Sequence, residues 1–204
     1  MTLRYFGTDG IRGKAFESPL TLAEAQRWGR AWGEVGRSRD VQELVIGWDP
    51  RLSSEPLVAA FLAGLGDLLR PVVLGLVPTP AVAWITSQRP GAWGLMVSAS
   101  HNPPEDNGLK GFNGAGEKLS EDEERAVEAA FEATPALDLP PRTWALETAL
   151  VATYLDHLGG LDLLSELPIV VDCAHGATAP WAPRLLGGNI TWLGTPADGA
   201  RINV

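Results

Sequence analysis

The stretch Ser98–Lys110, SASHNPPEDNGLK, gathers hydroxyls, an imidazole, amides and one lysine into thirteen positions directly after the apolar run GLMV. Two chemistries use a serine next to a histidine. In a serine hydrolase, a base must reach the hydroxyl and an acid must orient that base. The adjacent side chains of Ser100 and His101 diverge from the backbone, and the G-x-S-x-G elbow is missing, so the hydrolase reading is weak. A phosphorylated serine fits the surroundings better. Phosphoserine carries roughly −1.5 to −2 charges at neutral pH and three acceptor oxygens, and it needs cations and exposed donors around it. Lys110 follows the turn signals Asn102-Pro103-Pro104 and Asn107-Gly108. The loop can therefore double back and bring its ammonium toward Ser100. The bland alternative is a polar loop capping a buried strand.

Three further loops hold chemistry-bearing residues. FGTDGIRG, Phe6–Gly13, has glycines that allow close approach to a ligand, and Arg12 offers a planar fork for phosphate. It matches neither the Walker pattern nor the dinucleotide fingerprint. In GWDPRLSS, Asp49 and Arg51 are expected to pair locally and brace the loop, with Ser53 capping the next helix. Asp172, Cys173 and His175 are too few to close a metal site and read as loop stabilisers. The eight tryptophans read as core residues, Trp28 and Trp32 lying at helical spacing.

The elements that must position these loops alternate. A helix follows Thr21, with Thr21 and Glu24 at capping-box spacing. The strand ELVIGWD comes next, then a helix over LVAAFLAGLGDLL and the strand PVVLGLV. Thr79-Pro80 starts a helix over AVAWITSQ. GLMVSAS is a strand and LKGFN its return. Ser120 and Glu123 cap the acidic helix EDEERAVEAAFEA. This order predicts an α/β fold: a mostly parallel, mixed sheet sandwiched by helices. Ligands of such sheets sit at the carboxyl ends of strands, where WDPRLSS and SASHNPPEDNG both emerge. The Pro-rich break ATPALDLPPRT divides residues 1–140 from an incomplete second α/β unit over residues 141–204. That unit reads as a helix over WALETALVATYLDHL, a strand in PIVVDCAHG, a helix over APWAPRLLG and a strand in NITWLG. A unit of that size lacks the surface-to-volume ratio for comfortable independent stability, so the chain is expected to be the N-terminal portion of a longer protein.

Composition bounds the partners. With 45% hydrophobic and 20% charged residues the chain is of the core-forming class. Sixteen Lys and Arg against 25 Asp and Glu give a formal charge of −9, which argues against nucleic acid and anionic membrane surfaces. A small anionic substrate needs only a few local cations and stays open. The single cysteine, Cys173, has no intramolecular disulfide partner, and the N-terminus has no apolar signal-peptide core. A cytoplasmic protein is expected.

Taken together and in order, RYFGTDGIRG, IGWDPRLSS, VPTPAVAW, VSASHNPPEDNGLKGFNGAGEKLS, VVDCAHGA and the ADGARIN tail resemble the α-D-phosphohexomutase superfamily, most closely the bacterial phosphoglucosamine mutases. The resemblance spans essentially the whole chain. It implies that Ser100 is the phosphoserine, exchanging a phosphoryl group with glucosamine 6-phosphate through a bisphosphate intermediate, for cell-wall precursor synthesis. It places Arg12, His101 and Lys110 against the phosphoserine or the reacting hydroxyl. It implies Mg²⁺, bound by phosphorylated Ser100 and by an aspartate-rich D-G-D-x-D-R loop. The implied partner is a hexosamine phosphate, and a homo-oligomer is allowed. Three departures stand out: Trp48 where many relatives carry arginine, His175 where asparagine is common, and no Asp-x-Asp-x-Asp anywhere in the chain. These 204 residues alone are expected to turn over little substrate. A phosphomannomutase or phosphoglucomutase, and a non-catalytic sugar-phosphate-binding module, are the competing readings.

Overall fold

A computed structural model describes residues 3–159 and 167–204. Its main sheet has the order β1-β2-β6-β5-β3-β4, from strands β1 (Phe6–Gly7), β2 (Gly10–Lys14), β3 (Glu43–Trp48), β4 (Arg70–Leu76), β5 (Ala92–Val97) and β6 (Asp106–Phe112). β3 pairs in parallel with β4 and β5, whereas β6 pairs antiparallel with both β5 and β2, and β1 antiparallel with β2. Thus β2, β3, β4 and β5 point one way and only β6 and β1 oppose them, the mixed, mostly parallel sheet expected from the sequence.

Helices cover both faces. On one lie α1 (Leu22–Ser38), α2 (Ser54–Leu65) and α4 (Glu121–Ala133), over a core that includes Trp28, Trp32, Phe61, Phe131, Ile46 and Leu95. On the other lie α3 (Thr79–Ser87) and α5 (Thr148–Gly159), over Val45, Val72, Val82, Met96 and Tyr154. Burial on both faces is why β3 and β5 read as unbroken apolar runs rather than as alternation. The capping boxes at Thr21/Glu24 and Ser120/Glu123 both form, fixing where α1 and α4 begin. α1 and α2 cross at two glycines. A Cβ on Gly29 would lie 1.9 Å from the Phe61 carbonyl oxygen, and one on Gly64 would lie 1.8 Å from that of Gln26. Neither position tolerates a side chain without separating the helices.

Several element boundaries differ from the sequence expectation. α2 ends at Leu65 rather than near Leu69, because Gly66 turns the chain at φ 56°. Ser53 precedes α2 but makes no side-chain cap; its hydroxyl instead accepts from the Asn107 amide. The N-cap of α3 is Pro78, one residue before Thr79. α5 starts at Thr148, because Leu146 is drawn beside Val73 of β4 as a parallel bridge. That contact belongs to a strap over residues 139–147. Leu139 exchanges two hydrogen bonds with the Gln26 side chain, and the Glu147 amide donates to Val73 O at 2.8 Å. The strap shields the β4 edge, which would otherwise offer unpaired backbone groups.

Beyond the strap, β7 (Ile169–Asp172) and β8 (Ile190–Leu193) form a separate parallel pair, and the predicted helix over residues 179–187 shrinks to one turn, α6 (Ala182–Leu185). Two prolines among its first residues leave few amides to carry it further. Among the described residues no helix is long and apolar enough to cross a membrane.

Candidate active site

From β3 the chain passes through α2 to β4 on one side, and then through α3 back across β3 to β5 on the other. This reversal opens a crevice between the carboxyl ends of β3 and β5, where such sheets bind ligands. The two loops singled out from the sequence meet there, and the Asp49 amide donates to Val97 O at 3.1 Å.

Asp49 is buried and organises the crevice. Its carboxylate accepts from Arg51 Nε at 3.0 Å, from the Ser98 hydroxyl at 2.6 Å, and from the Arg51 amide and Ser54 hydroxyl at 3.2 Å each. With its proton given to Asp49, Ser98 Oγ keeps a free lone pair, and that oxygen accepts the Ser100 amide at 3.0 Å. Ser100 is thereby held at φ 58°, in the left-handed region, with its side chain in solvent. Strain of this kind persists only where the surroundings over-determine it.

Much of that determination comes from Arg51, whose side chain is completely buried. Beyond the brace to Asp49, its guanidinium donates to the carbonyls of Ser100 (3.0 Å), Asn102 (2.9 Å), Asp106 (2.9 Å) and Pro103. The expected Asp49–Arg51 pair exists, but it reaches much further than its own loop. The fixed fork of guanidinium donors suits a tight fan of carbonyls that a flexible ammonium could not fill. Asn102 and Asn107 complete the loop, bonded to Asp106 at 2.8 Å and to Ser53 and Ser54 at 2.8 and 3.1 Å.

The turn chemistry then sends the chain back antiparallel as β6, which places Lys110 opposite Met96 of β5. Arg12 pairs with Gly108 in the same sheet, so by the two-residue repeat of strands it shares a face with Lys110. Burial, reinforced by the Arg12 charge and opposed by Asp9, lowers the Lys110 pKa. Arg12 itself pairs with Asp9 at 3.3 Å across the β1–β2 hairpin. That hairpin is anchored by a residue that no local pattern singles out. The Glu128 carboxylate, buried on α4, accepts the backbone amides of Arg4, Tyr5 and Phe6 at 2.6–3.1 Å.

Ser98, Ser100 and His101 line a cavity of about 370 Å³, faced on the far side by Gly176, Thr178 and Asn203 of the second unit. His101 is exposed. Arg12 and Lys110 do not line this cavity; they stand beside it on the sheet. His175 is buried, its Nδ1 2.9 Å from Pro196 O and its amide on Gly194 O, which ties the β7 loop to the chain beyond β8, as a loop stabiliser should. Trp48 packs edge-on against Trp144 of the strap, their ring centres 5.7 Å apart.

A family model described as phosphoglucomutase/phosphomannomutase, alpha/beta/alpha domain I, matches residues 3–137. The chain belongs to this family. It is 43% identical to a phosphoglucosamine mutase of Hyphomonas neptunium (strain ATCC 15444), covering 100% of this chain and 48% of that protein. It is 40% identical to the phosphoglucosamine mutase of Yersinia pestis (strain Pestoides F), covering 98% and 47%. The crystal structure of a phosphoglucomutase/phosphomannomutase family protein from Burkholderia thailandensis superimposes with a TM-score of 0.80 at 28% identity, over 96% of this chain and 45% of that one. The chain thus spans about half the length of the curated relatives it matches.

The phosphohexomutase resemblance implies Mg²⁺, and the crevice tests that implication. Asp49, the buried carboxylate nearest Ser100 in the bonding network, spends both oxygens on Arg51, Ser54 and Ser98. Among the described residues no cluster of three or more His, Cys, Asp or Glu could hold a metal ion. The oxygens of a phosphorylated Ser100 are the ligands these residues can offer, and they do not make a site by themselves.

Proposed function

We propose that the chain is the phosphoserine-bearing part of a cytoplasmic phosphoglucosamine mutase, interconverting glucosamine 6-phosphate and glucosamine 1-phosphate. One observation carries this reading: in a phosphohexomutase-family chain, Ser100 is an exposed, left-handed serine on the cavity wall, its backbone fixed by Ser98 and Arg51 while its hydroxyl has no hydrogen-bond partner among the described residues. The names of the 40–43% identical relatives favour glucosamine over mannose or glucose.

Phosphoryl transfer depends mainly on positioning and on neutralising charge. The sugar hydroxyl attacks the phosphorus of phosphorylated Ser100. A P–O bond forms to the sugar, the P–Oγ bond breaks, and the proton lost by the hydroxyl ends on Ser100 Oγ. The bisphosphate then reorients, and the second transfer reverses these events with the other phosphate. Lys110, whose pKa burial lowers from its ordinary value, gives up a proton more readily than an exposed lysine and carries that proton. Arg12 and His101 contact phosphate oxygens. Magnesium, held by phosphorylated Ser100 and by ligands other than the described residues, would offset charge on the transferring group. Phosphate monoesters hydrolyse extremely slowly without catalysis, so a phosphoserine persists as a stored donor.

Intact-mass measurement of the full-length protein, before and after incubation with glucosamine 1,6-bisphosphate, tests the reading. One added phosphate is expected, and none in Ser100→Ala. A Ser100 that stays unmodified would sink the proposal in favour of a non-catalytic sugar-phosphate-binding module.

A further inference from the structure

The carbonyl oxygens of Ser100 and Asn102 each receive two donors, and only one of the two comes from the first unit. Arg51 Nη2 reaches them at 3.0 and 2.9 Å from within the protein. The Asn203 side-chain amide reaches the same two oxygens from the second unit, at 2.8 and 3.1 Å. A carbonyl has two lone pairs, so both oxygens are saturated by this double grip.

Asn203 is not a loose side chain that happens to fall there. Its backbone is left-handed at φ 63°, a conformation asparagine tolerates better than most residues. Its backbone N–H donates to Ala174 O at 3.0 Å, and the backbone N–H of Asp198 donates to His175 O at 2.9 Å. Ala174 and His175 are themselves left-handed, so two strained turns of the second unit interlock to hold residues 198–203 in place. The same tail meets the first unit at a second point. A Cβ on Gly199 would lie 2.0 Å from Pro50 O and 2.9 Å from Leu52 N, so only glycine lets the tail lie against the WDPRLSS loop.

We propose that Asn203 is a positioning residue for the Ser100 nucleophile: its amide, with Arg51, fixes the Ser100–Asn102 turn, so the transfer geometry of the first unit depends on docking of the second. This rests on the phosphoserine reading of Ser100. In this role Asn203 acts through the two carbonyls. The sequence separation, 101 and 103 residues, makes the contact a register between units and not a local turn.

Asn203→Gly is the informative substitution, because glycine keeps the left-handed backbone while removing the amide. Asn203→Asp keeps the shape but turns carboxylate oxygens toward two carbonyls. In full-length protein, hydrogen exchange over residues 100–107 is expected to quicken about tenfold in Asn203→Gly, the scale of one or two lost hydrogen bonds. Exchange in α1 and α2 should be unchanged. Single-turnover transfer from the phosphorylated enzyme to glucosamine 6-phosphate should slow by a similar factor, and further in Asn203→Asp, with little change in the half-saturating substrate concentration. Arg201→Ala, an exposed neighbour in the same tail, should match wild type in both assays. Unchanged exchange and unchanged transfer in Asn203→Gly would overturn the proposal while leaving the phosphoserine reading intact. Failure of wild type to accept phosphate would instead remove that reading, and the exchange experiment would still decide whether Asn203 fixes the turn.

Discussion

Replacing Arg51 is the sharpest physical test of the crevice. Its side chain is completely buried and its Asp49 partner nearly so. Arg51→Met keeps much of the volume while removing the charge and all five donors. Asp49 would then be a buried carboxylate left with hydroxyl and amide donors but no cation. The carbonyls of Pro103 and Asp106 would lose the guanidinium, while those of Ser100 and Asn102 would keep Asn203. Breaking one side of a buried ion pair costs about 3–5 kcal/mol. Pro103 O would keep the Asp106 amide at 3.1 Å; of the four carbonyls, that of Asp106 is left unpaired, adding about 1 kcal/mol or more, less whatever water entering the loop restores. A loss of about 4 kcal/mol is expected, a large share of the roughly 5–15 kcal/mol that holds a typical domain together. Arg51→Lys keeps the charge but not the fork, and should lose about half as much. Urea unfolding followed by tryptophan fluorescence measures both, since Trp28, Trp32, Trp48 and Trp93 are buried in the first unit. The Asp49→Asn/Arg51→Met double variant should be less damaged than the sum of its singles, by about 2 kcal/mol. A loss below about 1 kcal/mol in Arg51→Met would refute the assignment of the loop's rigidity to this residue.

Two other perturbations probe the cationic side of the site. Glu128→Ala removes the acceptor for three backbone amides of the N-terminal segment, so a loss of about 2 kcal/mol is expected, with earlier proteolytic cleavage before Ile11; unchanged cleavage would show that the hairpin holds itself. Burial lowers the Lys110 pKa below its unfolded value of 10.5, so between those two values the unfolded chain binds more protons and stability rises with pH. Lys110→Met should erase that rise, be no less stable at pH 7, and lose the increase in transfer rate through the lowered pKa; a pH–stability curve identical to wild type would contradict the buried-lysine account.

What local chemistry decides is legible in the residues themselves. Threonine or serine three residues before glutamate set the starts of α1 and α4, and apolar runs without alternation marked β3 and β5 as strands buried on both faces. The turn formers after His101 correctly sent the chain back on itself as β6. The ordered loop motifs were specific enough to reveal the family before any contact was known. Tertiary structure alone decided what holds those loops. Ser53 carries the residue type of a cap, yet its hydroxyl is used by Asn107, 54 residues away. Arg51 reads as a partner for Asp49, two residues off, but most of its donors reach carbonyls 49–55 residues along the chain. Glu128 passes for one more surface charge on an acidic helix, and Asn203 for an ordinary tail residue. The reason is common to all of them. Periodicity and capping are short-range patterns, whereas Arg51, Glu128 and Asn203 are bound to main-chain carbonyls and amides, which every part of the chain presents alike until folding selects one.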